Sequence, residues 1–136
     1  ASSVAAAQDI NGPPTYGNFE LSAGFMPDPQ YADVLSGGQT DASYISGCRG
    51  HIATNPDVRI VYSAGGYPLT IWAEAQGDTT LVINAPDGRW YCDDDSGGNL
   101  NPMLRFANPM SGRYEVWVGT YGSTDNLPSR VWVSER

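Results

Sequence analysis

Three consecutive carboxylates, Asp93-Asp94-Asp95, sit in the segment Cys92-Asp93-Asp94-Asp95-Ser96-Gly97-Gly98-Asn99-Leu100-Asn101-Pro102, which is otherwise built of turn-forming residues. Adjacent aspartates repel one another. A hard divalent cation relieves that repulsion by taking about six to eight oxygen ligands from carboxylates, amides and backbone carbonyls, so the cofactor this chemistry points to is calcium. The spacing lacks the alternating acids, central Gly and terminal Glu of an EF-hand, which makes the expected site an irregular one. Asp78 and Asp87, in the strand-turn segment just before, are candidates to close it from the side. A solvated turn, in which Asp and Asn cap their own backbone, has the same composition without an ion.

Other chemistries find fewer of their parts. Asp95-Ser96-Gly97-Gly98 resembles the nucleophile segment of chymotrypsin-like proteases, but Asp94 stands where a Gly should precede it. The single His, His51, lacks the flanking pattern of a base in that family, and a Ser nucleophile needs a positioned base and an orienting acid. One His and two Cys make a poor zinc site, and no phosphate-cradling loop or dinucleotide fingerprint occurs. Asp57 and Glu74 are imaginable as a glycosidase pair, yet a sequence sets no distance between them. The expectation is a protein without enzymatic activity.

Eight Tyr and four Trp exceed what a small core requires. Trp117 and Trp132 fall on the strand faces opposite their Val neighbours, which makes them candidates for an exposed platform. Exposed aromatics on a sheet suit carbohydrate or extracellular matrix, or a subunit interface.

A length of 136 residues with 40% hydrophobic content suits one domain with a real core. The net charge of −8 argues against nucleic acid as a partner, because its phosphates would be repelled. All seven basic residues are Arg and none is Lys. Lysine chemistry is thereby excluded, and so is the residue most used to blunt exposed sheet edges. Two cysteines, Cys48 and Cys92, predict a disulfide in an extracellular setting. No run is long and apolar enough for a membrane span, and Ala1-Ser2-Ser3 resembles the residues left after a secretory signal is removed. A secreted protein is expected, with no N-glycosylation sequon.

These residues must be positioned by strands. Alternating apolar segments recur at Tyr16 to Phe25, Val58 to Ser63, Leu69 to Ala75, Thr79 to Asn84, Arg89 to Cys92, Met103 to Ala107, Arg113 to Thr120 and Arg130 to Ser134, separated by Gly, Pro, Asn and Asp. The predicted class is all-β, an antiparallel two-sheet β-sandwich of jelly-roll-like form over residues 15–136. Residues 1–14 read as an extended N-terminal arm. Its apolar residues Val4, Ala6 and Ile10 suit either packing on the arm's own domain or strand donation to the sheet edge of a second copy.

The succession DTTLVINAPDG (Asp78 to Gly88), WYCDDDSGGNLNP (Trp90 to Pro102) and SGRYEVWVGTY (Ser111 to Tyr121) resembles the bacterial pre-peptidase C-terminal domain and its secreted relatives. The resemblance covers roughly residues 40 to 134. It implies a jelly-roll β-sandwich of the kind appended to secreted proteases, some of which bind calcium, and it places possible ligands at Asp78, Asp93, Asp94 and Asp95. The chain departs from that setting in having no catalytic domain beside it and in carrying the leading segment Ala1 to Gly38. The expected function is a secreted, calcium-binding structural protein that self-associates into a homo-oligomer or an extracellular filament. The alternative is a carbohydrate- or matrix-binding accessory module.

Overall fold

Apolar residues at alternate positions of Val58–Ser63 and Gly112–Thr120 turn one face of each strand inward. The computed structural model, which describes residues 8–136, arranges this pattern as two packed sheets. The strands are β1 (Gly17–Ser22), β2 (Gln30–Leu35), β3 (Thr40–Asp41), β4 (His51–Ile52), β5 (Val58–Ser63), β6 (Leu69–Ala75), β7 (Thr79–Asn84), β8 (Trp90–Asp93), β9 (Met103–Phe106), β10 (Gly112–Thr120) and β11 (Pro128–Ser134). One sheet runs β2-β11-β6-β9, every pair antiparallel. The larger sheet is organised by β10. One edge of β10 pairs with β5 and then with β4, and the other edge pairs with β7, which in turn pairs with β8.

One pair departs from the antiparallel expectation, because β1 runs parallel to β5, from Gly17 opposite Val58 to Ser22 opposite Ser63. Between them the chain crosses to the other sheet to form β2 and returns through β3 and β4. Such a crossover is what a parallel neighbour needs. The strand β2 was not among the expected segments.

The main core lies between the sheets. Val58, Ile60, Leu81, Ile83, Tyr114, Val116 and Val118 of one sheet face Leu69, Ile71, Ala73, Val131 and Val133 of the other. Each fully buried aliphatic side chain of this kind contributes roughly 1.5–3 kcal/mol. A second, smaller core covers the outer face of the larger sheet. There Trp117 and Val82 are packed under Ala42, Ile45, Cys48 and Ile52, with Trp90 and Cys92 at the margin. Trp117 is therefore fully buried, which corrects the expectation that it belongs to an exposed platform. The segment from β3 to β4 lies over the face that alternation alone would leave to solvent.

The described part of the N-terminal arm is folded onto its own domain rather than extended. Gln8 is buried, its amide donating to Ala53 O while the Tyr44 hydroxyl donates to its Oε1. Asp9 N donates to Thr54 O, and the Asp9 carboxylate closes a turn by accepting from Asn11 N. Two arginines anchored on buried Glu115 hold this turn. Arg59 Nε and Arg113 Nε each lie 2.8 Å from Glu115 Oε2, and their outer nitrogens donate to Gly12 O and Ile10 O. Ile10 thus belongs to a segment docked in cis, whereas Val4 and Ala6 lie outside the described residues.

Asp57, at the entry to β5, joins the two halves of the larger sheet. Its backbone N–H donates to Val116 O and its carboxylate accepts from Val118 N at 2.8 Å. Burial pushes its pKa up to about 7, against the Val118 hydrogen bond that lowers it. Between about pH 4 and pH 7 the folded chain then holds a proton that the unfolded chain releases. The stability this group contributes is complete below about pH 4 and lost as pH rises through 7, a change of roughly 4 kcal/mol at most. Asp57→Asn keeps the acceptor for Val118 and removes the titration. Urea unfolding of both proteins from pH 4 to pH 7 should show the variant gaining stability relative to the parent as pH rises, and parallel profiles would contradict this assignment.

Candidate metal centre

Asp78 stands one residue before β7, and Asp94 and Asp95 follow β8, so the β7–β8 hairpin decides whether they meet. Its register sets Leu81 opposite Asp93 and Asn84 opposite Trp90. Continued past the last pair, that register would set Thr79 level with Asp95, which leaves Asp78 within one position of it at the same end of the hairpin. One carboxylate oxygen from each of Asp78, Asp94 and Asp95 lies within 4.8 Å of the other two. These three sequence candidates are brought together.

Asp93 is not part of the cluster. Successive residues of a strand point to opposite sides, and Asp93 turns the other way from Asp94. Its carboxylate accepts from Ser96 N at 2.9 Å, from the Ser96 hydroxyl at 2.7 Å and from Met103 N at 2.8 Å. It closes the turn after β8 and ties it to the start of β9. That use sets its carboxylate apart from the three that converge, and it also engages the Ser96 hydroxyl. Asp87 is likewise elsewhere. It lies in the turn at the far end of the hairpin, accepting from Arg89 N and the Tyr91 hydroxyl, and the Arg89 hydrogen bond holds its carboxyl below the usual range.

The electrostatics of the three converging groups are unfavourable as they stand. Partial burial, followed by the charge of Asp95, pushes the Asp78 carboxyl above its ordinary value, with a hydrogen bond to Asp94 acting in the opposite sense. Burial, then Asp95 and Asp78, raises Asp94, and Arg49 offsets this in part. One oxygen of Asp78 and one of Asp94 are buried without a hydrogen-bond partner among the described residues. A small hollow of about 240 Å³ opens beside Asp94, lined by Gly47, Arg49, Cys92 and Asp93. The donor set is all oxygen, which suits a hard cation such as calcium.

The expected disulfide supports this corner. Cys48 and Cys92 are bridged, with Cα atoms 5.2 Å apart, within the usual disulfide range. Their bond fixes the end of β8, two residues before Asp94, to the segment that covers Trp117. Such a bridge is characteristic of an oxidising compartment. No helix among the described residues is long and apolar enough to cross a membrane.

Trp132 lies on the outer face of the smaller sheet and remains partly exposed. Its ring is 5.9 Å from Trp72 in a stacked arrangement and 4.9 Å from Tyr31. Its indole N–H donates to Glu74 Oε1 at 2.7 Å. Sequence reasoning found Trp132 but missed Tyr31, because β2 itself was missed.

The bridge closes 44 residues of sequence separation, and in the chain-entropy model such a loop is worth about 4 kcal/mol. Denaturant unfolding with and without a thiol reductant should therefore show a clear fall in the midpoint on reduction. An unchanged midpoint would mean that the bridge does not constrain this corner.

No family model matches the chain, and no curated protein matches it. Among solved structures it is similar to PliG of Aeromonas hydrophila, a periplasmic lysozyme inhibitor of g-type lysozyme. The TM-score is 0.46 and the identity 12%, over 87% of this chain and 96% of that one. At that level of likeness nothing about ligands or activity passes from one protein to the other.

Proposed function

We propose that this chain is a secreted, non-enzymatic β-sandwich that binds calcium through Asp78, Asp94 and Asp95 and self-associates as a subunit of an extracellular filament or matrix. The observation that carries the reading is the convergence of three carboxylate oxygens within 4.8 Å, two of these groups having a buried oxygen with no partner among the described residues. A cation there neutralises a repulsive cluster and staples the start of β7 to the loop after β8. The role is that of a structural ion: it holds a loop in shape and performs no reaction.

Self-association is supported by the sandwich edge and by the segment ahead of Gln8. The strands β1 and β2 end their respective sheets and meet at one side of the sandwich, where a Cβ at Gly17 would lie 3.4 Å from the Ala32 methyl. Each has six residues and an unpaired edge among the described residues. Residues 1–7, which include Val4 and Ala6, span about 23 Å when extended. That length matches a strand of six residues, so the proposed occupant of this edge is the leading segment of a second copy. The lysine-free surface leaves the edge without its commonest guard.

Two measurements test the two parts separately. Thermal unfolding with calcium at about 100-fold over its dissociation constant should raise the midpoint by roughly 5 °C or more relative to chelator. The rise should vanish in Asp94→Asn, and an equal midpoint with calcium or chelator would end the metal reading. Light scattering of the full chain should show assemblies, whereas a protein lacking residues 1–7 should be a folded monomer. Equal assembly by both would contradict donation of the leading segment.

A further inference from the structure

The end of β8 that presents Asp94 and Asp95 is weakly held by its own sheet. The strand is four residues long, is only partly buried throughout, and pairs with β7 alone among the described residues. Its ladder ends where Asp93 faces Leu81, so both candidate ligands lie beyond the last pair. A short strand paired along one edge opens at low free energy.

The segment at the other end of the disulfide is fixed. Ala42, Ile45 and Cys48 are buried in the outer core with Trp117. The Ala42 N–H donates to Gly50 O, and the Thr80 hydroxyl donates to Arg49 O at 2.9 Å. The Cys48–Cys92 bond therefore fastens an end that opens easily to a segment that does not, and it does so two residues before Asp94.

The bond can be reached from one side. Cys48 is buried, whereas Cys92 is half-buried and lines the hollow of about 240 Å³ shared with Gly47, Arg49, Asp93 and Asp94. A dithiol entering there attacks Cys92 Sγ as a thiolate. The S–S bond breaks, and Cys48 leaves as a thiolate that takes up a proton. The second thiolate of the reductant then attacks the mixed disulfide, closes the reductant's own disulfide and releases Cys92, which is protonated in turn. Two electrons and two protons pass from the dithiol to the bridge.

From these features we infer that the Cys48–Cys92 bridge is a redox control on the calcium site: the bridged chain keeps Asp94 and Asp95 in place beside Asp78, and reduction by a dithiol frees the end of β8 and releases the ion. The inference rests on the calcium reading and adds its regulation. Coupling between two binding or reaction equilibria is reciprocal. The factor by which reduction weakens calcium binding is the factor by which calcium protects the bridge.

The test uses the full chain. Calcium is titrated by calorimetry into the bridged protein and into protein held in dithiothreitol, with circular dichroism recorded for both. The bridged protein should bind the ion, and reduction should weaken binding roughly ten-fold or more with the sheet signal retained. In a second measurement the bridge is equilibrated with graded mixtures of reduced and oxidised dithiothreitol, in saturating calcium and in chelator. Calcium should move the reduction potential of the bridge to a more negative value, by about 30 mV for a ten-fold coupling, and Asp94→Asn should abolish the shift. Equal affinity in the two redox states, or an equal potential in calcium and chelator, overturns the inference and leaves the calcium reading standing. Loss of the whole sheet signal on reduction also overturns it, because the bridge then acts on the fold rather than on the site. A bridged protein that binds no calcium removes the calcium reading itself, and this inference with it.

Discussion

The structure depends on β10 being buried on both of its faces. Tyr114, Val116 and Val118 fill the space between the sheets, while Glu115 and Trp117 point the other way and are buried too. A strand solvated on one face would need only the first set. Here the outer face is covered by the segment that runs from β3 to β4, and that cover is secured by the Cys48–Cys92 bridge. Glu115 gathers Arg59 and Arg113, and through them the turn at residues 9–12. One central strand thus organises the intersheet core, the outer core and the docking of the arm.

The carboxylate cluster is a consequence of the same arrangement. The strand β7 lies against β10 and carries β8 with it, so the hairpin register that completes the larger sheet also delivers Asp78 to Asp94 and Asp95. In a chain of net charge −8, Asp78 and Asp94 are partly buried beside exposed Asp95, and burial together with the neighbouring carboxylates raises the proton affinity of Asp78 and Asp94. Either protons or a cation must relieve them. Arg49 supplies some positive potential but forms no ion pair with them among the described residues. The proposed calcium ion would answer the repulsion with the ligand chemistry already present.

Much of this was legible in the sequence. Alternation located β5, β6, β7 and β10 closely, because each places strong apolar residues on one face and is bounded by turn-forming residues. The strand β2 escaped notice because its inward residues are only Ala32 and Val34, with Tyr31 and Leu35 outward, which blurs the contrast. Trp117 was misplaced because alternation assumes one solvated face, and nothing local reports that a covalently tied segment 65 or more residues earlier lies over it. The candidate site was readable as a cluster but not in its membership. Asp93 and Asp94 are chemically the same in a sequence, and only the pleat of β8 and the competing donors at Ser96 and Met103 separate the turn-former from the candidate ligand. Asp78 was reachable from hairpin geometry, given the turn at Pro86-Asp87-Gly88.

A crystal structure grown in calcium, read for anomalous signal at the hairpin end, tests the central claim most directly. The expected result is an ion about 2.3–2.6 Å from oxygens of Asp78, Asp94 and Asp95, with Asp93 still bonded to Ser96 and Met103. Solvent alone at that point, or the Arg49 guanidinium folded in among the three carboxylates, would contradict it.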